Sequence, residues 1–281
     1  MKLAILNATS RTANHIISQG LEQGHEIHAA VRSVSAERFK KSHRGKSIIV
    51  HEFDDFNNVD QVYKLVKDVD CIFIVASPTD NKLTFLVEHI VHTVVAALRR
   101  KSGASRCTTR VILLTSTTVS PFVRNEKRVF QKIIFHIMRN YLNYEPYNDL
   151  QRADEYLKKQ SDWLDFIIFN PGMLIDPASD ANQRSATSAY SLSTNTVSDG
   201  AITYKMLAHA MLSTASGKEE LIGKNVHPIV DVQPKVEFQD LDSLKKLISD
   251  FSKDVFKTIT IAFILVAFGY FFGRIGTATK N

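Results

Sequence analysis

Small and polar residues fill a short segment near the start of the chain. This segment, Asn7 to Ala13, lies between an apolar strand-like run, Leu3 to Leu6, and an amphipathic stretch. Where a strand passes into a helix through a tight turn, the first N–H groups of the helix and the positive end of its dipole can bind a phosphate. The segment is therefore a candidate pyrophosphate site, with these candidate residues: Asn7, Thr9, Ser10, Arg11, Thr12 and Ala13.

Dinucleotide-binding turns are rich in glycine, and this turn contains none. Asn7 stands where a tight turn needs glycine, but asparagine adopts positive φ more readily than most residues. Ala13 is an accepted replacement where helix packs on strand. Ser10 places a Cβ where the backbone should approach the pyrophosphate, although its hydroxyl could donate to a phosphate oxygen. We expect a turn that keeps its shape and binds more weakly; a purely structural turn is the alternative.

A second candidate group follows the next strand-like run, Glu26 to Val31. Arg32 and Ser33 stand where an acidic residue would bind the ribose of NAD, whereas an arginine there fits the 2′-phosphate of NADP. The basic run from Arg32 to Lys46 could instead be a solvated surface. We expect NADP rather than NAD as the cofactor.

Short runs rich in Ile and Val alternate with amphipathic stretches, which predicts a parallel sheet covered by helices on both faces. The fold class expected is α/β, a doubly wound parallel sheet. The predicted strands are Leu3 to Leu6, Glu26 to Val31, Ser47 to His51, Cys71 to Ala76, Arg110 to Thr115 and Phe166 to Phe169. The predicted helices are His15 to Gln23, Val59 to Val66, Thr84 to Arg100 and Leu150 to Gln160. The segment from Pro171 to Asn195 is predicted as a long loop.

The composition excludes several classes of protein. Of the 281 residues 44% are hydrophobic, which is enough for a core, and the net charge of +6 is spread along the chain. Without a basic stripe interleaved with aromatic residues, we expect no nucleic-acid partner. Cys71 and Cys107 have no metal-ligand spacing, and His89 and His92 lack a third ligand, so no metal site is predicted. No signal peptide is recognised at Met1, so the body is expected in the cytosol.

The end of the chain has a different character. An amphipathic linker helix is predicted at 240–257, after a domain covering 1–239. Thr258 to Gly273 carries no charge and would span roughly 24 Å as a helix, against a hydrocarbon core of about 30 Å. We expect a C-terminal transmembrane anchor at 258–275, in the endoplasmic reticulum or the outer mitochondrial membrane. A buried or interfacial terminal helix is the alternative.

Several segments, taken in order, resemble one family. The turn "NATSRTA" resembles GATGxTG, "HEIHAAVRS" resembles a second strand that ends in Val-Arg, and "RVILLTST" resembles a fifth strand with an active-site serine. A later block, "DEYLKKQSDWLDFIIFNPGMLID", ends in Asn-Pro-Gly where Arg-Pro-Gly is usual. Together these segments resemble the atypical short-chain dehydrogenase/reductases, in particular the NmrA-like, NAD(P)H-binding group that includes flavin reductase (biliverdin reductase B). The resemblance covers roughly residues 2 to 215 and implies a Rossmann-type domain.

The resemblance assigns further positions. It makes Arg32 the arginine that binds the 2′-phosphate, and it places Asp54 or Asp55 near the adenine. Ala76 and Ser77 would lie near the nicotinamide.

Catalysis in the larger superfamily uses a serine, a tyrosine and a lysine four residues after the tyrosine, with the tyrosine as proton donor. Ser116 matches the serine and Tyr147 is a plausible tyrosine, but Gln151 stands in the lysine's place. A neutral amide cannot lower the pKa of a tyrosine as a cation does. Tyr147 could equally be an ordinary aromatic residue at a helix start, and some atypical members work by cofactor positioning alone.

Two functions therefore remain open. The first is a membrane-anchored NADP-dependent reductase for a hydrophobic small molecule. The second is a catalytically degenerate protein that acts as an anchored nucleotide sensor or scaffold. A non-redox use of the fold, such as isomerisation or cyclisation, is a minor third possibility.

Overall fold

Strand β1 lies inside an eight-stranded sheet, with β2 on one side and β4 on the other. This is a computed structural model, and it describes residues 1–76, 85–119, 144–176, 190–195 and 201–230. The order of the main sheet is β3-β2-β1-β4-β5-β6-β10-β8, with β8 antiparallel to β10 and the other pairs parallel. The strands are β1 Lys2–Leu6, β2 Glu26–Arg32, β3 Ile48–Phe53, β4 Cys71–Ile74, β5 Cys107–Leu114, β6 Leu164–Phe169, β7 Met173–Ile175, β8 Tyr190–Ser193, β9 Ala201–Thr203 and β10 Lys224–Val230.

Six α-helices of the described residues cover the sheet: α1 Arg11–Glu22, α2 Ser33–Ser42, α3 Val59–Val66, α4 Leu86–Ser102, α5 Tyr144–Lys158 and α6 Tyr204–Ser213. Two hydrophobic clusters lie on the sheet's two faces, one with α3, α4 and α5 and the other with α1, α2 and α6. Neighbouring residues of β1 alternate between them, since Ala4 and Leu6 belong to the first cluster and Leu3 and Ile5 to the second. Burial on both faces explains the continuous apolar runs of these strands.

The doubly wound α/β prediction is confirmed, and the six predicted strands and four predicted helices are present with ends shifted by up to six residues, the largest shift being the start of α5 at Tyr144 instead of Leu150. The long loop predicted from Pro171 to Asn195 was wrong in part, because it contains β7 and β8. The pattern missed β7 because it is three residues long, and β8, "YSLS", because it is a partly polar edge strand. Helix α2 forms inside the basic run, and β9, β10 and α6 had no predicted counterpart.

The C-terminal predictions lie outside the described residues. These are the linker helix at 240–257, the anchor at 258–275 and the end of the domain predicted at 1–239. The described residues all belong to one unit, Met1–Pro234. Within them, no helix has the length and apolar character needed to cross a membrane.

Candidate nucleotide-binding and active site

The turn between β1 and α1 keeps a tight shape without glycine. Asn7 takes a φ of 59°, in the left-handed region where glycine is usual. The Ala8 N–H donates to the Ala30 carbonyl at 3.0 Å, and the Asn7 side-chain amide donates to the Val75 carbonyl at 3.5 Å. The turn is thereby tied to both neighbouring strands. As expected, asparagine adopts the positive φ for which glycine is usual at this position.

Ser10 is the N-cap of α1. Its Oγ accepts the Ala13 N–H at 3.2 Å, and its carbonyl accepts the Asn14 N–H at 3.0 Å. The serine hydroxyl thus accepts from the Ala13 N–H, which is one of the N–H groups that a phosphate would use. The N–H groups of Arg11 and Thr12 have no partner within the helix. A bound phosphate would compete with this cap.

The other turn residues differ in exposure. Thr12 and Ala13 are buried, so they pack the helix on the sheet. Thr9 is partly buried, and its hydroxyl donates to the Asn7 side-chain oxygen at 3.5 Å. Arg11 is exposed. Its guanidinium donates to Asp176 Oδ2 at 2.8 Å. Arg11, which was predicted to bind a phosphate, is therefore paired with a carboxylate.

The ends of β2 and β3 carry the predicted ribose and adenine residues. Arg32 is exposed and is the N-cap of α2, without a side-chain cap hydrogen bond. The Ser33 hydroxyl donates to Asp54 Oδ1 at 2.9 Å, and Asp55 Oδ1 accepts the Asn57 N–H at 2.7 Å. Because β3, β2 and β1 are neighbours in a parallel arrangement, these residues share the carboxyl edge of the sheet with the turn.

The predicted nicotinamide residues are only partly described. Ala76 is 1% exposed and follows β4, next to the strand end whose Val75 carbonyl accepts from Asn7. Ser77 lies outside the described residues.

Ser116 follows β5 and is held through its backbone. Its carbonyl accepts the Val119 N–H at 3.0 Å and the Asn170 side-chain amide at 3.2 Å. The Ser116 side chain is partly exposed at the carboxyl edge of the sheet. The residue is thus placed where a ligand on this edge could reach it.

A buried polar network supports this position, and sequence reasoning missed it. Asn170 donates to the Thr115 hydroxyl at 2.6 Å and accepts from the Asn225 amide at 2.7 Å. Asn225 also donates to Asp154 on α5 at 2.9 Å. The departure from Arg-Pro-Gly to Asn-Pro-Gly was the available signal, since a different residue there requires different partners.

Tyr147 lies in the core, not in an open position at the sheet edge. It is 5% exposed and belongs to the cluster formed with α3 and α4. Gln151, in place of the lysine, donates to Glu155 Oε1 at 2.7 Å. The structure therefore brings the turn residues, Arg32 and Ser116 to one edge and leaves Tyr147 buried.

A second buried side chain of α5 was also missed. Asp149 is 0% exposed, and its two oxygens accept the N–H groups of Val87 and Glu88 at 3.0 and 2.9 Å. It caps the N-terminus of α4 from a different helix. Its only sequence signal was an acidic residue two positions after Tyr147.

Exposed apolar side chains follow the strands on either side of β5, at whose carboxyl end Ser116 lies. Phe85 and Leu86, before and at the start of α4, are 41% and 40% exposed, and Met173 on β7 is 55% exposed. The guanidinium of Arg152 lies 4.6 Å above the Phe85 ring. In the strand order β4-β5-β6, these residues follow the two strands on either side of β5.

Two histidines, His92 and His227, pack against other residues of the fold. The His92 ring stacks on Tyr156 with centroids 3.5 Å apart. His227 on β10 is fully buried; burial lowers its pKa to about 4, against a smaller opposing effect of a hydrogen bond with the Asn170 backbone. Among the described residues, no group of three or more His, Cys, Asp or Glu side chains is arranged to hold a metal.

These residues fit a dinucleotide. The left-handed Asn7 keeps the N-terminus of α1 at the sheet edge, where the N–H groups of Arg11 and Thr12 can bind phosphate oxygens. Arg32, at the next strand end, offers a cation for a 2′-phosphate. Ser10 is the least favourable position, since its hydroxyl must give up the Ala13 N–H or share it.

Comparison with known proteins agrees with this geometry. The profile of an NAD(P)H-binding family matches residues 8–217. The chain belongs to this NAD(P)H-binding family. The predicted family and cofactor class are thereby confirmed.

Curated relatives are distant fungal proteins. Oxidoreductase stcQ of Emericella nidulans is 25% identical over 61% of this chain and 65% of its own length. Oxidoreductase tpcG of Aspergillus fumigatus is 24% identical over 62% of this chain and 66% of its own length. The chain thus spans just under two thirds of these relatives.

Solved structures share the fold of this NAD(P)H-binding protein. A short-chain dehydrogenase/reductase from Veillonella parvula in complex with NADP has a TM-score of 0.61 at 15% identity, covering 84% of this chain and 99% of that one. The anaerobilin reductase ChuY from Escherichia coli O157:H7 has a TM-score of 0.59 at 16% identity, covering 83% and 100%.

Proposed function

We propose that this protein is an NADP-dependent reductase of the atypical short-chain type, acting on a hydrophobic small molecule. The observation that carries the proposal is the turn, in which Asn7 at φ 59° keeps the N-terminus of α1 at the carboxyl edge of the sheet, the edge at which Arg32 also lies. The family match supports the cofactor class. Arg32 in place of an acidic residue favours NADP over NAD.

When bound, the nicotinamide would supply a hydride to the substrate. The residues of the chain hold the cofactor and orient the substrate. The turn and Arg32 bind phosphates, and the Ser116 hydroxyl orients the substrate carbonyl or donates a proton to it. Tyr147 is buried and Gln151 is neutral, so we propose that turnover depends on positioning more than on a tyrosine proton donor.

The exposed apolar side chains support a hydrophobic substrate. Phe85 and Met173 are exposed and follow the two strands next to β5, at whose end Ser116 lies, and large apolar groups near a polar centre are typical of small-molecule sites. Delivery along a membrane would suit such a substrate. We therefore also propose the anchor at 258–275, with the body on the cytosolic side of the endoplasmic reticulum or the outer mitochondrial membrane; this rests on the uncharged run in the sequence.

One observation favours a second candidate function. Gln151 binds Glu155, and Tyr147 packs in the core, so α5 serves structure where the superfamily has catalytic groups. A chain that binds NADPH without turnover would be an anchored nucleotide sensor or scaffold.

Calorimetry on the full-length chain tests the proposal. We expect NADPH to bind more tightly than NADH, and Arg32→Ala to weaken NADPH about tenfold while leaving NADH nearly unchanged. Arg44→Ala is the matched control, because Arg44 is exposed and follows the far end of α2. Failure of the folded chain to bind either nucleotide would contradict the proposal.

Turnover separates the two candidates. NADPH oxidation is followed with a panel of apolar carbonyl and quinone acceptors, comparing the wild type with Ser116→Ala. Oxidation that falls in the variant supports the reductase. Tight NADPH binding with no oxidation of any acceptor favours the sensor.

A further inference from the structure

The small sheet of β7 and β9 ends beside the phosphate-binding turn. In this parallel pair Ile175 lies opposite Thr203, and these residues end their strands, so Asp176 and Tyr204 are the residues that directly follow β7 and β9. Both side chains contact Arg11. The guanidinium donates to Asp176 Oδ2 at 2.8 Å and lies 4.5 Å from the centroid of the Tyr204 ring.

This contact is strong enough to place the guanidinium and weak enough to be exchanged. The side chains of Arg11 and Asp176 are 66% and 60% exposed, so water and salt screen their attraction. Exposed ion pairs of this kind contribute little to stability. The pyrophosphate bridge of a dinucleotide bears two negative charges against one on a carboxylate, so it can replace Asp176 as the partner of Arg11.

One histidine shares the surroundings of Asp176. His15, one turn after Arg11 on α1, has its pKa lowered mainly by burial; Asp176 acts to raise this pKa and Lys205 to lower it. The carboxylate of Asp176 thus lies within electrostatic reach of Arg11 and His15, at the N-terminal end of α1. In the absence of nucleotide, the Asp176 carboxylate is therefore the anion next to Arg11.

Ser10 plays a parallel part in the same turn. Its hydroxyl accepts the Ala13 N–H at 3.2 Å, which is the contact that a phosphate oxygen would make. The turn therefore has two internal substitutes for a phosphate: an oxygen for the helix N–H and a carboxylate for the arginine.

We propose that Asp176 competes with the nucleotide phosphate for Arg11 and so sets the affinity of the site. This inference rests on the proposed nucleotide-binding function and adds how the chain regulates it. Arg11 changes partner on binding, from Asp176 to the phosphate. In the nucleotide-free protein, the Tyr204 ring helps to hold the Arg11 guanidinium beside Asp176.

Binding of NADPH to full-length variants, measured by calorimetry, tests this. Asp176→Asn keeps the shape of the side chain and removes its charge, and we expect NADPH to bind about fivefold more tightly. Asp165→Asn is the control for net charge. Asp165 also pairs with an exposed arginine, Arg106, but it lies at the amino end of β6, away from the site. It should leave the affinity unchanged.

A double variant shows whether Arg11 carries the effect. We expect Arg11→Ala to weaken binding, and Asp176→Asn in that background to change affinity less than about twofold. An equal gain in both backgrounds would mean that Asp176 acts only through its field and would overturn the proposal. So would a loss of affinity in Asp176→Asn, or an equal gain in Asp165→Asn. If no variant binds NADPH or NADH, the proposed function itself fails; if the wild type binds and Asp176→Asn binds no more tightly, only this inference fails.

Discussion

The nucleotide side and the catalytic side of the candidate site differ in what their substitutions changed. In the turn after β1, Asn7 and Ala13 replace glycines, yet the backbone keeps the left-handed position and the buried helix contact. On α5, Gln151 replaces a lysine, and Tyr147 lies in the core. The first region kept its geometry with different residues, whereas the second acquired different contacts.

The difference follows from how each region acts. A phosphate is bound mainly by backbone N–H groups and a helix dipole, which many small residues can present. Proton transfer needs one particular side chain in one position. Substitution is therefore tolerated in the turn, whereas on α5 it leaves residues that stabilise the fold.

Asp149→Ala should destabilise the protein by about 4 kcal/mol, because it removes two charge-assisted hydrogen bonds from buried N–H groups at the start of α4. Urea unfolding of the full-length chain measures this. Asp162→Ala, at an exposed position after α5, should cost less than about 0.5 kcal/mol. A loss under about 1 kcal/mol for Asp149→Ala would contradict a structural role for α5.

His227 should make the stability fall in acid. Its pKa is about 6.5 in the unfolded chain and about 4 in the folded one, so the unfolded chain binds more protons between these values. The stability is fully present above about pH 6.5 and is lost as the pH falls toward 4, by about 3 kcal/mol. The test is to measure the free energy of unfolding of the wild type and of His227→Gln at pH values from 7 to 4.

The variant cannot take up this proton, so its stability should fall by that much less than the wild type's over the same range. His15, His25, His51 and His92 also have pKa values lowered mainly by burial, and they add the same slope to both chains. Parallel curves for the two chains would show that His227 does not titrate in this range.

Periodicity predicted the parallel core of the fold and missed its periphery. Strands such as β4, "CIFI", are buried on both faces and are recognisable from composition alone. Strand β10, "KNVHPIV", contains a proline and a histidine, and its identity as a strand depends on pairing with β6 and β8. Such pairing is decided by contacts distant in sequence.

The site divides in the same way. The positions of the turn and of Arg32 at the ends of their strands were predictable, because they depend on the local sequence. The partners of Arg11, Asp149 and Asn170 were not, since each contact joins residues more than 50 positions apart. A single sequence can mark such a residue as unusual, but it does not show which distant residue is its partner.

Asn7→Ala tests the tolerance of the turn directly. Alanine pays about 1 kcal/mol more than asparagine in the left-handed region, so the unfolding free energy should fall by that amount. Asn7→Gly should leave it within about 0.5 kcal/mol of the wild type. Equal losses in the two variants would show that the Asn7 side chain, through its bond to Val75, matters more than its backbone conformation.

Ser10→Gly should have the smallest effect on stability and the most informative effect on binding. Glycine is nearly as good an N-cap as serine, so the free energy of unfolding should fall by only a few tenths of a kcal/mol. The change also frees the Ala13 N–H and removes the Cβ from the approach to the turn. NADPH should bind about threefold more tightly, by the affinity that one displaced hydrogen bond represents. Ser10→Ala separates the two causes, because it frees the same N–H but keeps the Cβ. If both variants gain equally, the internal cap limits binding; if only glycine gains, the Cβ does; and if neither gains, neither the cap nor the Cβ of Ser10 limits the affinity of the turn for the nucleotide.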